Sequence, residues 1–84
     1  MTDDEALAMI KEALLEVASD KADSFDDLSL SLSIEDLELD SVTTMEMVGV
    51  LEERLDTVFP DEELPKVNTL GDITTLMRGK RVGA

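Results

Sequence analysis

Asp40-Ser41-Val42-Thr43-Thr44-Met45-Glu46-Met47-Val48-Gly49-Val50-Leu51-Glu52-Glu53-Arg54-Leu55-Asp56 carries the clearest periodicity in the chain. At about 100° per residue, Met47, Val48, Leu51 and Leu55, with Val58 beyond them, gather on one side of a helix. Val42, Glu46, Gly49, Glu53 and Asp56 gather opposite, flanked by Met45 and Glu52. The spacing predicts a helix over about 41–57 with an apolar buried face and an acidic outer stripe. Gly49 in its middle costs about 1 kcal/mol relative to Ala and leaves a flat place that a partner can approach closely.

Working outward, Pro60 ends that helix, and Asp61-Glu62-Glu63-Leu64 forms a short helix over about 61–65 that Pro65 stops. Thr69 is the expected N-cap of a last helix over about 70–78. Asp72 stands in its first turn, and Leu70, Ile73, Leu76 and Met77 face the core. Arg78, Lys80 and Arg81 suit its C-terminal end, and 79–84 reads as a flexible tail. At the other end, Thr2-Asp3-Asp4-Glu5 fits a capping box that opens a helix over about 3–18, with Leu7, Ile10, Leu14 and Val17 as its stripe. Between the first two long helices, Leu28, Leu30, Leu32 and Ile34 alternate with Ser29, Ser31 and Ser33. No second alternating run exists to pair with that segment as a strand, so 19–40 is expected to be a long loop pinned to the core by Leu28, Leu32, Ile34 and Leu37. The fold class is therefore all-α.

An 84-residue chain with 43% hydrophobic residues holds one small domain. Its core is aliphatic, since the only aromatic residues are two Phe. A formal charge of −14, from 21 acidic and 7 basic residues, argues against nucleic acid and anionic membrane surfaces and favours basic protein partners. The absence of cysteine removes disulfides and thiolate metal sites. With neither a signal-peptide pattern nor an apolar run near the ~20 residues that span a bilayer, a cytoplasmic protein is expected.

The chain has no His and no Cys, so Ser41 has no activating imidazole and the chain has no thiol nucleophile. Ser41 is a poor catalyst but a good attachment point for a group that another enzyme installs. Its structural reading is a helix N-cap, for which Ser and Asp are both suited. A helix N-terminus also favours an esterified phosphate, through free N–H groups and the positive end of the dipole. Asp40 and Glu38 act against that and turn such a phosphate toward solvent. Other chemistries fail. The run Asp36, Glu38, Asp40 leads to Ser41 where a calcium loop needs Gly, and to Met47 where it needs Glu. No glycine-rich phosphate loop exists, and carboxylates are too abundant to mark acid-base catalysis.

Asp40-Ser41-Val42, followed by Glu46, Leu51-Glu52-Glu53, Leu55-Asp56, Pro60-Asp61-Glu62-Glu63 and Thr69-Leu70, resembles the acyl carrier proteins of fatty acid and polyketide synthesis. With the first helix the resemblance covers nearly the whole chain. It implies a four-helix bundle with a long first loop and a short third helix. It also implies a covalent 4'-phosphopantetheine on Ser41, with Asp40 in the face read by the phosphopantetheinyl transferase. The arm's terminal thiol, not a residue of the chain, would hold an acyl group as a thioester, so the chain is not an enzyme. Val42, Met45, Glu46, Gly49, Glu52, Glu53 and Asp56 would form the face that docks on basic patches of partners: an acyl ligase or acyltransferase, a ketosynthase or a condensation domain. A monomer is expected. Family members that sequester their cargo would use Met47, Val48, Leu51, Ile73 and Met77 as lining. Several positions depart from the family: Glu38-Leu39 where glycine is common, Val42 for Leu or Met, Thr43 for an acidic residue, and Arg54 within the acidic run. They favour a dedicated carrier for polyketide, lipopeptide or specialised fatty acid synthesis. A peptidyl carrier, and an unmodified acidic docking module, remain as alternatives.

Overall fold

The computed structural model describes residues 1–82; Gly83 and Ala84, the end of the expected tail, lie outside the described residues. Three α-helices, α1 (Asp3–Val17), α2 (Ser41–Leu55) and α3 (Leu70–Met77), are joined by three 3-10 turns at Ser19–Phe25, Glu35–Leu37 and Leu64–Lys66. The structure is all-helical, and the short third helix, expected over about 61–65, is the single 3-10 turn Leu64–Lys66, with only turn backbone at 61–63.

The capping box of α1 forms: Thr2 Oγ1 accepts the Glu5 N–H at 3.1 Å and Glu5 Oε1 accepts the Thr2 N–H at 3.2 Å. Its buried line runs through Ala6, Ile10, Ala13 and Leu14, with Leu7 and Val17 only half-buried. The two alanines let α1 lie close on α2, its principal partner, so packing rather than side-chain size selects the face. Arg54 of α2 reaches across this contact to Glu12 at 2.9 Å and Glu16 at 3.1 Å. On α2 itself Met47, Val48 and Leu51 are buried, but Val58, expected beside them, is 80% exposed. The helix stops at Leu55 because Asp56 turns left-handed (φ 51°), which takes Val58 off the helical register. Phe59 enters the core instead, its N–H donated to Glu52 Oε2 at 2.6 Å.

The long connection is better anchored than a plain loop. Phe25 and Leu37 are buried, and Leu28, Leu32 and Ile34 pack against the core. The alternating segment does find a backbone partner, the approach to α3. Ile34 donates to the Asn68 carbonyl at 2.8 Å, while Leu70 and Gly71 donate to the Leu32 and Leu30 carbonyls at 3.0 and 2.8 Å. A single antiparallel bridge, Ser33 to Thr69, marks the pairing. Gly71 eases the approach there, since a Cβ would stand 3.0 Å from the Leu30 carbonyl oxygen, tighter than ordinary contact.

Pro65 lies inside the 3-10 turn rather than ending a helix, because the first turn needs no N–H from it. Thr69 caps α3 in a second capping box with Asp72. Arg78 closes α3 and pairs with Asp3. Lys80–Val82, expected to be flexible, folds back: Val82 is buried and donates its N–H to Glu63 Oε1 at 2.8 Å. Glu63 is a buried carboxylate whose other oxygen accepts from Lys66 at 3.0 Å. Lys66 first, and the Val82 N–H with it, hold this carboxyl below its ordinary range against the opposing effect of burial. Among the described residues, no helix is long and apolar enough to cross a membrane.

Three stability outcomes follow from this packing. Gly49→Ala meets nothing within 4 Å and raises stability by about 1 kcal/mol in thermal or denaturant unfolding. Gly71→Ala gains less than this, because its methyl crowds the hydrogen-bonded Leu30 carbonyl. A lowered native pKa makes the stabilising contribution of Glu63 complete above the ordinary carboxylate range and loses it as pH falls through that range and below. Glu63→Gln therefore lowers the melting temperature most at neutral pH, and the gap to the unsubstituted protein closes on acidification. A gap independent of pH contradicts the role given to its charge.

Candidate functional site

The site is the start of α2. Asp40, in extended conformation, is the N-cap: its Oδ1 accepts the Thr43 N–H at 2.7 Å, and its carbonyl accepts the Thr44 N–H at 3.0 Å and the Thr44 hydroxyl at 2.9 Å. Thr43, chiefly through that N–H, holds the Asp40 carboxyl below its ordinary range, and Lys21 adds to the effect. The cap is thus Asp40 and not Ser41. Ser41 is the first residue of the helix, exposed, and its hydroxyl makes no hydrogen bond among the described residues. The capping role that competed with a functional one for this serine is filled by its neighbour.

Chain geometry just upstream fixes how the serine is presented. The 3-10 turn Glu35–Leu37 ends on Glu38 in a left-handed conformation (φ 56°, ψ 36°). That residue stands where the resemblance led us to expect glycine, the residue for which such a conformation is free of steric penalty. Lys21, from the first 3-10 turn, donates its Nζ to the Glu38 carbonyl at 2.6 Å. Lys21, Glu38, Asp40 and Thr43 together line a partly polar groove beside the helix start, on which Val17 and Ala18 also border.

On its other side Ser41 opens onto a shallow depression shared with Val42, Met45 and Glu46. Val42 is 68% and Met45 52% exposed, an apolar area at the head of the acidic stripe. Glu46, Gly49, Glu53 and Asp56 are exposed on the same helix or at its end. Arg54, the one cation in α2, is drawn toward α1 by Glu12 and Glu16, so it does not neutralise that stripe. Glu52 has a different place: half-buried, it is committed to the Phe59 N–H. Its role is to close the C-terminal end of α2.

Met45 also reaches an interior cavity of about 70 Å³ between α2, the 64–66 turn and α3. Val48, Phe59, Leu64, Ile73 and Leu76 supply most of its apolar wall. Of the residues expected to line such a space, Val48 and Ile73 do so; Met47, Leu51 and Met77 are buried elsewhere in the core. Phe59, Leu64, Val67 and Ile34 carry no periodic signal that ties them to this cavity, because they come from turns and the loop. Among the described residues no cluster of acidic side chains is placed to hold a metal ion.

Comparison with known proteins agrees with this geometry. A stretch of the chain is 40% identical over 45 residues to the acyl carrier protein of Clostridium acetobutylicum, covering 54% of this chain and 58% of that protein. The chain thus spans little more than half the length of the curated relative it matches. No solved structure matches it. The family model described as the phosphopantetheine attachment site matches residues 9–77, from within α1 through α2 to the end of α3. The chain belongs to the phosphopantetheine attachment site family.

Proposed function

We propose that this chain is an acyl carrier protein whose 4'-phosphopantetheine is esterified to Ser41. The observation that carries the reading is an exposed, unbonded serine hydroxyl at the first position of α2, in a chain of this family. When bound, the arm supplies a terminal thiol that holds an acyl group as a thioester. Asp40 does the capping, which leaves the Ser41 hydroxyl open to a transferase. The N–H groups of Ser41 and Val42 have no partner among the described residues, so the helix start can meet a phosphodiester, while Asp40 and Glu38 keep it turned to solvent.

Docking is assigned to Val42, Met45, Glu46, Gly49, Glu53 and Asp56, a face with exposed apolar area at its head and uncompensated carboxylates along its length. Exposed ion pairs of this kind contribute about 0–1 kcal/mol each, which steers encounter with basic partners and keeps release fast. The partners are a phosphopantetheinyl transferase, a loading ligase or acyltransferase, and a ketosynthase or condensation domain. Tethering raises the local concentration of cargo at whichever partner is docked.

The cavity gives the carrier a place for part of its cargo. At about 70 Å³ it is roughly half the ~150 Å³ of an apolar cavity that admits benzene. As it stands it takes only the first carbons of a chain, and rotation of Met45, a flexible side chain, enlarges it. A small cavity behind Met45 suits a carrier dedicated to short or specialised acyl groups in polyketide, lipopeptide or specialised fatty acid synthesis. We assign it no catalytic step of its own.

Incubation with coenzyme A, magnesium and a broad-specificity phosphopantetheinyl transferase adds one phosphopantetheinyl group to the intact mass of the chain and none to Ser41→Ala. A folded, initially unmodified chain that gains nothing would favour an acidic docking module instead. Glu46→Lys and Glu53→Lys together lower the rate of loading by a cognate ligase about ten-fold, from two exposed pairs turned repulsive. An unchanged rate would remove α2 from the docking face.

A further inference from the structure

Lys21 lies twenty positions before Ser41 in the chain, on a different turn, yet its ammonium makes a side-chain hydrogen bond to the backbone of the left-handed residue that leads into the site. Its Nζ donates to the Glu38 carbonyl at 2.6 Å, a short charge-assisted bond. Glu38 occupies a conformation (φ 56°) that a residue with a Cβ adopts only at a steric cost. The direction taken by the chain there decides where Asp40 and Ser41 emerge. Two residues later Asp40 must be extended to cap α2, so a rotation of the Glu38 peptide would move the cap and the serine together. Lys21 is half-buried in the groove that also holds Asp40 and Thr43. It is therefore seated against both the turn and the cap.

We infer that Lys21 is a positioning residue for the modification of Ser41: its bond to the Glu38 carbonyl locks the left-handed turn and so presents the serine in the conformation that the transferase binds. This rests on the reading of Ser41 as the attachment site. The lock acts through Glu38 and touches neither the hydroxyl nor the incoming group. Its consequence is a population effect. If the competent turn is only fractionally populated without Lys21, the apparent affinity of the transferase falls by that fraction while the bound complex reacts as before. A residue of merely structural importance would lower the melting temperature and leave KM alone in protein that is still folded.

The test uses the full chain as Lys21→Met, Lys21→Arg, Glu38→Gly and the double variant Lys21→Met/Glu38→Gly. In the unmodified proteins, Lys21→Met speeds amide hydrogen exchange at Glu38, Thr43 and Thr44, whose N–H groups are bonded within the turn and the cap, and Lys21→Arg, which keeps a cationic donor, restores most of the protection. In transferase assays with coenzyme A, Lys21→Met raises KM for the chain about five- to ten-fold, as expected for loss of one charge-assisted bond, with kcat unchanged. Glu38→Gly makes the left-handed turn free of Cβ clash, so the double variant recovers a KM within about two-fold of the unsubstituted chain if the lock is Lys21's whole role. Unchanged exchange in Lys21→Met, an equal fall in kcat, or no recovery in the double variant would each overturn the proposal. Failure of the unsubstituted chain to be modified would sink the attachment reading alone, because the exchange comparison still decides whether Lys21 holds the turn.

Discussion

Everything near the site depends on how the long connection between α1 and α2 satisfies its own backbone. A segment of this length without partners would leave polar groups stranded wherever it crossed the core. Here 30–34 lies along 68–71 and exchanges three backbone hydrogen bonds with it, and Gly71 eases the approach. That pairing fixes the second 3-10 turn, the turn fixes Glu38, and Glu38 sets the entry of Asp40 into the α2 cap. The serine is presented by a chain of local constraints whose most distant member is the N-terminal end of α3.

Charge is distributed to match. Lys11, Lys21, Arg54, Lys66 and Arg78 are each engaged by an intramolecular carboxylate or carbonyl. These five of the seven basic residues thereby serve the fold, and the outer face of α2 keeps its negative potential. Arg54 shows the division most clearly. In sequence it breaks an acidic run; in space it turns to α1 and clasps Glu12 and Glu16. Individually such exposed pairs contribute little, but they decide which face of α2 remains acidic.

The helices were legible because their periodicities and caps are local: Thr2 with Glu5, and Thr69 with Asp72, announce helix starts within four residues. The proposal of Ser41 as the attachment point comes from elimination and from the resemblance to carrier proteins. What the residues did not reveal depends on backbone conformation. Asp56 turns left-handed and ends α2 early, which exposes Val58 and buries Phe59, and no side-chain period reports that. The alternating Leu and Ser residues were read as a loop for want of a strand to pair with, and the backbone partner they do find is the approach to a helix, which carries no strand pattern. Glu52 sat on the outer half of a helical wheel, and only the return of the chain at Phe59 gave its carboxylate an internal donor. Lys21 had no signal at all, since its partner is a carbonyl and not a side chain.

The central claim is that a single hydroxyl, that of Ser41, carries the phosphopantetheine among the many serines and threonines of the chain. The most direct test is fragment-ion mass spectrometry of peptides from the transferase-treated protein, reading where the added mass lies. The account predicts that every fragment break places it between Asp40 and Val42. Its appearance on another hydroxyl, or its complete absence from fully folded protein, would contradict the account.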